Sequence, residues 1–227
     1  MAIKLIVFDM AGTTVEDQNE VANTFRSALS KFGYDLKLEE VNPLMGYEKK
    51  VAITKILNLL EQDREKITSE LIVEIHKEFV RSMIAHYQQT PSLQALEGAE
   101  ETMAALKSSG IKVGINTGFS KNIAQTIVDK LQWQEKGLID YLVGSDEVLH
   151  GRPDPAMIIK MMDLAGITDP QEVAKVGDTE VDVREGQNAG CKFVIAVTTG
   201  AFTRAELEPY RPTHIIDQVS EVLSIIK

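Results

Sequence analysis

The sequence predicts an α/β protein: a parallel sheet wound with helices on both sides, interrupted early by an all-helical insert. Three observations carry this. Short, unbroken apolar runs alternate with helical patterns along most of the chain. Glycines follow the ends of several helical patterns, where a left-handed cap is wanted. From about Asp17 to Pro91 the alternation stops and no convincing strand occurs.

In chain order, Leu5 to Phe8 is the first run, closed by Asp9. It has the apolar continuity of a strand buried on both faces, as parallel sheets require. Val21, Phe25, Leu29 and Phe32 then repeat at helical spacing, followed by Val51 to Leu60 and by Leu71, Ile75, Phe79 and Met83. So many consecutive helices exceed what one crossover between parallel strands needs. The spacing therefore predicts a separate helical module over residues 17–90, with Thr14–Asp17 and Gln88–Pro91 as linkers and residues 1–16 and 91–227 as the core. Alternation then resumes: helix Glu97–Ser109 with Gly110, strand Val113–Ile115, helix Ser120–Leu131, strand Tyr141–Val143, helix Pro155–Ala165 with Gly166. Strand Val173–Val176, helix Thr179–Ala189 with Gly190, strands Phe193–Val197 and His214–Ile216, and helix Asp217–Ile226 complete the chain.

Composition narrows the function. Of 227 residues, 34 are acidic and 24 basic, a net charge of −10, and 44% are hydrophobic. A chain this acidic is poorly suited to nucleic acid or to an anionic membrane, both of which select clustered Lys and Arg. The single cysteine, Cys191, excludes an internal disulfide and a Cys-based zinc cluster and suits a reducing compartment. No apolar run approaches the ~20 residues needed to span a bilayer, and Met1 to Asp9 is too short for a signal-peptide core. A cytoplasmic protein, as monomer or homodimer, is expected.

Three segments set polar groups directly after buried strands, where open α/β sheets bind ligands. In Phe8-Asp9-Met10-Ala11-Gly12-Thr13-Thr14, a strand-end Asp followed by a glycine turn is placed for nucleophilic attack on phosphorus. In Ile115-Asn116-Thr117-Gly118-Phe119-Ser120, a hydroxyl and backbone N–H groups opening a helix make an anion cradle. In Val176-Gly177-Asp178-Thr179-Glu180-Val181-Asp182, carboxylates at i and i+4 straddle a helix start and suit a hard cation such as Mg²⁺. Between the last two, Gly151-Arg152-Pro153-Asp154-Pro155 is a rigid turn presenting one cation. Singly, each Asp or Thr reads as a helix cap and Arg152 as a surface ion-pair partner. All four in this order are hard to reach by chance.

The order Asp-x-x-Gly-Thr, strand-end Thr117, Gly-Arg-Pro-x-Pro and Gly-Asp-Thr-x-x-Asp resembles the haloacid dehalogenase superfamily over essentially the whole chain. The helical insert after the first motif resembles the cap of its cap-one members. The resemblance implies a Rossmann-like core, Mg²⁺ and an aspartyl-phosphate intermediate. It makes Asp9 the nucleophile and puts Asp9, the Ala11 carbonyl, Asp178 and Asp182 at the metal, with Asp182 positioning the others. Thr117 and Gly118, with Gly12 and Thr13, would hold phosphoryl oxygens, and Arg152 would neutralise their developing charge.

Most phosphatases of the superfamily carry a second Asp two residues after the nucleophile, as acid for the leaving alkoxide. Here that position is Ala11. The Asp-x-Ala-Gly-Thr-Thr pattern resembles phosphonoacetaldehyde hydrolase (phosphonatase), which cleaves a C–P bond after a cap lysine condenses with the aldehyde. In Met45-Gly46-Tyr47-Glu48-Lys49-Lys50 the resemblance assigns the Schiff base to Lys49 and places Met45 and Gly46 at the substrate. The family's His three residues after that lysine is Ala52. Read from the residues alone, Lys49 is a solvated helix lysine; in the role the resemblance assigns, it points from the cap into the cleft above Asp9, its pKa lowered by Lys50 and by closure of the cap over the core. The expected substrate is a small phosphonated or phosphorylated metabolite. Alternatives are a phosphoglycolate-type phosphomonoester phosphatase and, remotely, a non-catalytic phosphate-binding protein. His76, His86, His150 and His214 lack metal-ligand spacing, and Cys191, Trp133, Tyr47 and Tyr87 read as packing residues.

Overall fold

The computed structural model describes residues 2–91 and 93–226. Six strands form one parallel sheet: β1 (Leu5–Phe8), β2 (Lys112–Thr117), β3 (Tyr141–Gly144), β4 (Val173–Gly177), β5 (Phe193–Val197) and β6 (His214–Ile216). Their spatial order is β3-β2-β1-β4-β5-β6. Every predicted strand is present, so the apolar runs were a sufficient signal. The chain fills one side of β1 and then crosses to the other, which opens a crevice at the carboxyl ends of the central strands. Register makes that crevice compact. Phe8 lies level with Ile115 on β2 and with Val176 on β4. Asp9, Thr117 and Asp178 therefore emerge from the same edge of the sheet.

Helices α1 (Glu20–Ser30), α2 (Leu38–Val41), α3 (Lys49–Leu60) and α4 (Ser69–Gln89) follow β1. The segments leading into and out of this helical stretch run side by side. Val15 bridges Ala95 in antiparallel fashion, and Leu96 N–H donates to the Thr14 carbonyl at 2.9 Å. The short α2 has no counterpart in the periodicity, because four residues are too few to show a 3.6-residue repeat.

Beyond it lie α5 (Ala99–Ser108), α6 (Lys121–Leu131), α7 (Ala156–Ala165), α8 (Glu180–Asn188), α9 (Arg204–Leu207) and α10 (Val222–Ile225). Gly110, Gly166 and Gly190 take the left-handed φ values expected of them. The predicted helix Asp217–Ile226 is shorter than the pattern suggested. Glu221 accepts the backbone N–H groups of Asp217 and Gln218, both at 2.9 Å, which holds those residues outside the helix.

Alternation along β1 divides the core. Leu5 and Val7 pack with Met157, Met161 and Val183 on one face. Ile6 and Phe8 face the other side, in a cluster continuous with Phe25, Ile53 and Phe79 of the helical segment. Phe79 is fully buried and meets Phe25 edge-on at 5.6 Å between centroids. Phe79→Ala is expected to cost about 3–5 kcal/mol, read as a lowered denaturant midpoint. A loss below about 1 kcal/mol would mean that the helical segment packs far more loosely than this.

Candidate active site

A pocket opens where the sheet's carboxyl edge meets the helical segment. Asp9, Ala11, Thr117, Gly118 and Asp178 line it from the sheet, and Asp17, Met45, Gly46 and Lys49 from the other side. The two sides touch through backbone. A Cβ on Gly118 would lie 2.7 Å from the carbonyl oxygens of both Gly46 and Tyr47. Gly46 itself has φ +81° and packs on Thr179 and Val181. Glycine at both positions lets the main chains approach to a distance that any side chain would prevent.

Beside the pocket lies a buried ion network. Nη1 of Arg152 is 2.7 Å from Asp9 Oδ1 and 2.8 Å from Asp182 Oδ1, and its Nε is 3.2 Å from Glu185 Oε2. Its Nη2 donates to the Asn116 carbonyl at 2.7 Å and to Asn116 Oδ1 at 2.5 Å. Lys175 Nζ lies 3.0 Å from Asp182 Oδ1 and 3.3 Å from Glu185 Oε2, and donates to Asn116 Oδ1 at 2.6 Å. The hydroxyl of Thr179 donates to Asp182 Oδ2 at 2.5 Å. Arg152 is therefore enclosed by protein partners and stands outside the pocket lining, its Nη1 paired with one oxygen of Asp9. Asp182 is likewise committed, to Arg152, Lys175 and Thr179. Thr13 also stands outside the lining, and its hydroxyl donates to Asp178 Oδ1 at 3.2 Å. Gly12 packs directly on Asp178.

Charge is unbalanced here. Asp9, Asp178, Asp182 and Glu185 face two cations, Arg152 and Lys175. Burial pushes Asp9 up, and Arg152, shared among three carboxylates, does not offset burial and the neighbouring Asp182. Asp178 is pushed well up by burial and by Asp9 and Asp182. For Asp182 burial acts in the same direction, but Arg152 and Lys175 outweigh it and hold the carboxyl low. One oxygen from each of Asp9, Asp178 and Asp182 lies within 4.8 Å of the others. This donor set, all carboxylate oxygen and short of positive charge, fits a hard divalent cation.

Lys49 is buried, 3% exposed, at the start of α3. Its Nζ lies 5.7 Å from the ring centre of Phe25, 5.8 Å from Phe79 and 5.9 Å from Phe119, and donates weakly to the Tyr47 carbonyl at 3.4 Å. Burial lowers its pKa to about 8, against the opposing pull of Asp9 and Asp17. Lys49 is thus not a solvated lysine, and of the two causes expected to lower its pKa, enclosure acts while Lys50 is not among the groups that shift it.

The family model for haloacid dehalogenase-like hydrolases matches residues 6–196. The chain is a haloacid dehalogenase-like hydrolase. It is 33% identical, over 91% of its length, to a bifunctional phosphonoacetaldehyde hydrolase/aminoethylphosphonate transaminase of Clostridioides difficile, and spans 34% of that longer protein. It is 29% identical to pyrophosphatase PpaX of Bacillus mycoides, over 100% of this chain and 98% of the relative. In fold it is similar to a phosphonoacetaldehyde hydrolase-like protein from Oleispira antarctica, with TM-score 0.82 and 22% identity over 100% of this chain and 92% of the other.

Several residues of the hydrolase site escaped sequence reasoning. Lys175 was absorbed into an apolar run, although a lysine in the middle of a doubly buried strand demands carboxylate partners. Glu185, its partner, looked like any helix acid. The loop after β5 supplies Ala201 N–H to Asp178 Oδ2 at 2.7 Å. Its signal, Thr198-Thr199-Gly200 after a buried strand, was of the same kind as the three motifs. Cys191 and Trp133 are buried, as read, and burial pushes the Cys191 thiol up to about 12. Among the described residues no helix is long and apolar enough to cross a membrane.

A carboxyl whose pKa is raised by folding weighs against the native state once pH exceeds its unfolded value and increasingly up to the folded one. Asp9 and Asp178 are both raised, so the metal-free hydrolase should lose stability as pH rises over that window. Mg²⁺ should then raise the melting temperature more at pH 8 than at pH 5 at matched ionic strength. Asp178→Asn should abolish most of this increment. A wild-type melting temperature indifferent to Mg²⁺ at pH 8 would count against the cation site.

Proposed function

We propose that this hydrolase cleaves the C–P bond of a small phosphonate aldehyde of the phosphonoacetaldehyde type. One observation carries the reading: a desolvated lysine, Lys49, lines the same pocket as the strand-end carboxylate Asp9, while the neighbouring acid position is Ala11. A phosphate ester needs a proton delivered to its leaving oxygen, which Ala11 does not supply. A carbon leaving group needs instead an acceptor for its electron pair, which an iminium provides.

In this mechanism the neutral amine of Lys49 adds to the aldehyde carbon, and loss of water gives the iminium. Asp9 attacks phosphorus in line with the C–P bond. That bond breaks, its electron pair passes into the iminium to give an enamine, and the phosphoryl group becomes esterified to Asp9. Arg152 prevents Asp9 from turning away, by the contact between Nη1 and Oδ1. The Thr117 hydroxyl and the backbone N–H of Gly118 are proposed to hold phosphoryl oxygens, and residues 17–90 to act as the cap. Mg²⁺ bound at Asp9, Asp178 and the Ala11 carbonyl would supply charge neutralisation for the phosphoryl group, with Asp182 orienting the set through Arg152 and Thr179. Similarity to a pyrophosphatase along the whole chain supports a second reading, in which the same core hydrolyses a phosphorylated metabolite.

Borohydride added with phosphonoacetaldehyde is expected to inactivate the protein and leave a reduced adduct on Lys49, identified by peptide mass spectrometry. Lys49→Arg should lose both adduct and C–P cleavage, since a guanidinium forms no imine. Asp9→Asn should still form the adduct but lose turnover by at least about a thousandfold. Brisk hydrolysis of phosphoglycolate or pyrophosphate, with no adduct from the aldehyde, would establish the second reading instead.

A further inference from the structure

We infer that Asp17 is the acid–base group that serves Lys49, donating the proton that lets water leave during imine formation and recovering it during imine hydrolysis. The inference rests on the phosphonatase reading and adds a residue that no motif names. The titratable side chains lining the pocket are Asp9, Asp17, Lys49 and Asp178. Asp9 is held by Arg152 for attack on phosphorus, and Asp178 is engaged by Thr13 and the Ala201 N–H at the cation site. The two other places from which an acid would be sought hold Ala11, beside the nucleophile, and Ala52, one turn after Lys49. Asp17 is the group left.

Its setting suits the work. Asp17 Oδ1 accepts the Val21 N–H at 3.2 Å, which anchors the carboxyl at the start of α1. Glu20 bonds to it from its own segment, Lys49 of α3 and Asp9 of β1 lie in the same pocket, and Tyr87 of α4 senses its charge. His86 of α4 acts on Glu20. Burial, with Glu20 adding to it, pushes Asp17 up to about 6, within reach of neutral-pH proton transfer. Because Lys49 sits at about 8, the ground state between those values is carboxylate plus ammonium. Moving one proton from Lys49 to Asp17 produces both reactive forms together, a nucleophilic amine and an acid. The amine adds to the aldehyde and the oxygen takes up the nitrogen's proton. Asp17 then protonates that hydroxyl, water leaves, and the Asp17 carboxylate faces the iminium cation. After C–P cleavage the enamine carbon takes a proton from solvent. Water then attacks the resulting iminium as Asp17 accepts a proton from it, and the aldehyde product departs from a neutral Lys49.

The test uses the full chain with phosphonoacetaldehyde and follows the rate of borohydride-trapped adduct on Lys49 from about pH 5 to 9. Wild-type protein should give a bell with limbs near 6 and 8. Asp17→Asn keeps an oxygen for the Val21 N–H but cannot transfer a proton. It should slow trapping at pH 7 by at least about tenfold and convert the bell into a single rise through about 8. Asp17→Glu should restore the bell in part. Asp17→Ser, whose hydroxyl also caps a helix start, carries the same expectation should the Asn variant fold poorly. A folded Asp17→Asn or Asp17→Ser variant that traps at the wild-type rate with an intact bell overturns the role of Asp17 and leaves the Lys49 chemistry standing. Absence of any adduct on folded wild-type protein overturns both.

Discussion

The Arg152 guanidinium joins the end of β1, the end of β2 and the first turns of α8 in one buried contact set: Asp9, Asn116, Asp182 and Glu185. Taking such charges out of water costs several kcal/mol per ion, and their mutual attraction recovers this only when geometry is good and each donor is used. Here Nη2 of Arg152 makes two hydrogen bonds to Asn116, while Nη1 and Nε meet the carboxylates at ion-pair distance without hydrogen-bond geometry, a planar spread that a lysine would not reproduce. Asn116 supplies the neutral link, accepting from Arg152 and Lys175 while donating to Glu185 at 2.8 Å. Asp9 therefore stands fixed before any ligand arrives, which reduces the reorganisation needed in a reaction at phosphorus.

Around that fixed point the site divides by chemistry. The sheet edge carries Asp9, Thr117 and Asp178, groups suited to phosphorus and to a cation. The helical segment carries Lys49 and Asp17, groups suited to carbonyl chemistry. Contact between Gly46 and Gly118 brings the two sets to one pocket. Neither set on its own would select a phosphonate aldehyde, because the sheet edge is suited to the phosphorus end of such a molecule and the helical segment to its carbonyl.

Legibility in the sequence followed the same division. The strands and motifs of the core were readable because each buried strand announces itself by apolar continuity and then ends in polar residues. The partners of Arg152 were harder, since Glu185 and Lys175 become conspicuous only once burial is known. The helical segment offered periodicity but no orientation. Nothing in Glu48-Lys49-Lys50 tells which lysine faces inward. The structure buries Lys49 and leaves Lys50 exposed, because α3 turns its Ile53–Leu57 face toward Phe25 and Phe79. Asp17, read as part of a linker, was invisible for the converse reason: loop acids carry no periodic signal, and its enclosure depends on α1, α3 and α4 together.

The three rings around Lys49 come from separate places: Phe25 from α1, Phe79 from α4 and Phe119 from the loop after β2. The first two belong to the helical segment and the third to the sheet side. Any parting of the two sides would withdraw Phe119 and readmit water to the amine, raising its pKa from about 8 toward the ordinary lysine value. The contact between the two sides thereby sets the share of neutral amine: with Phe119 withdrawn, a smaller fraction of Lys49 would be unprotonated at any pH near neutrality.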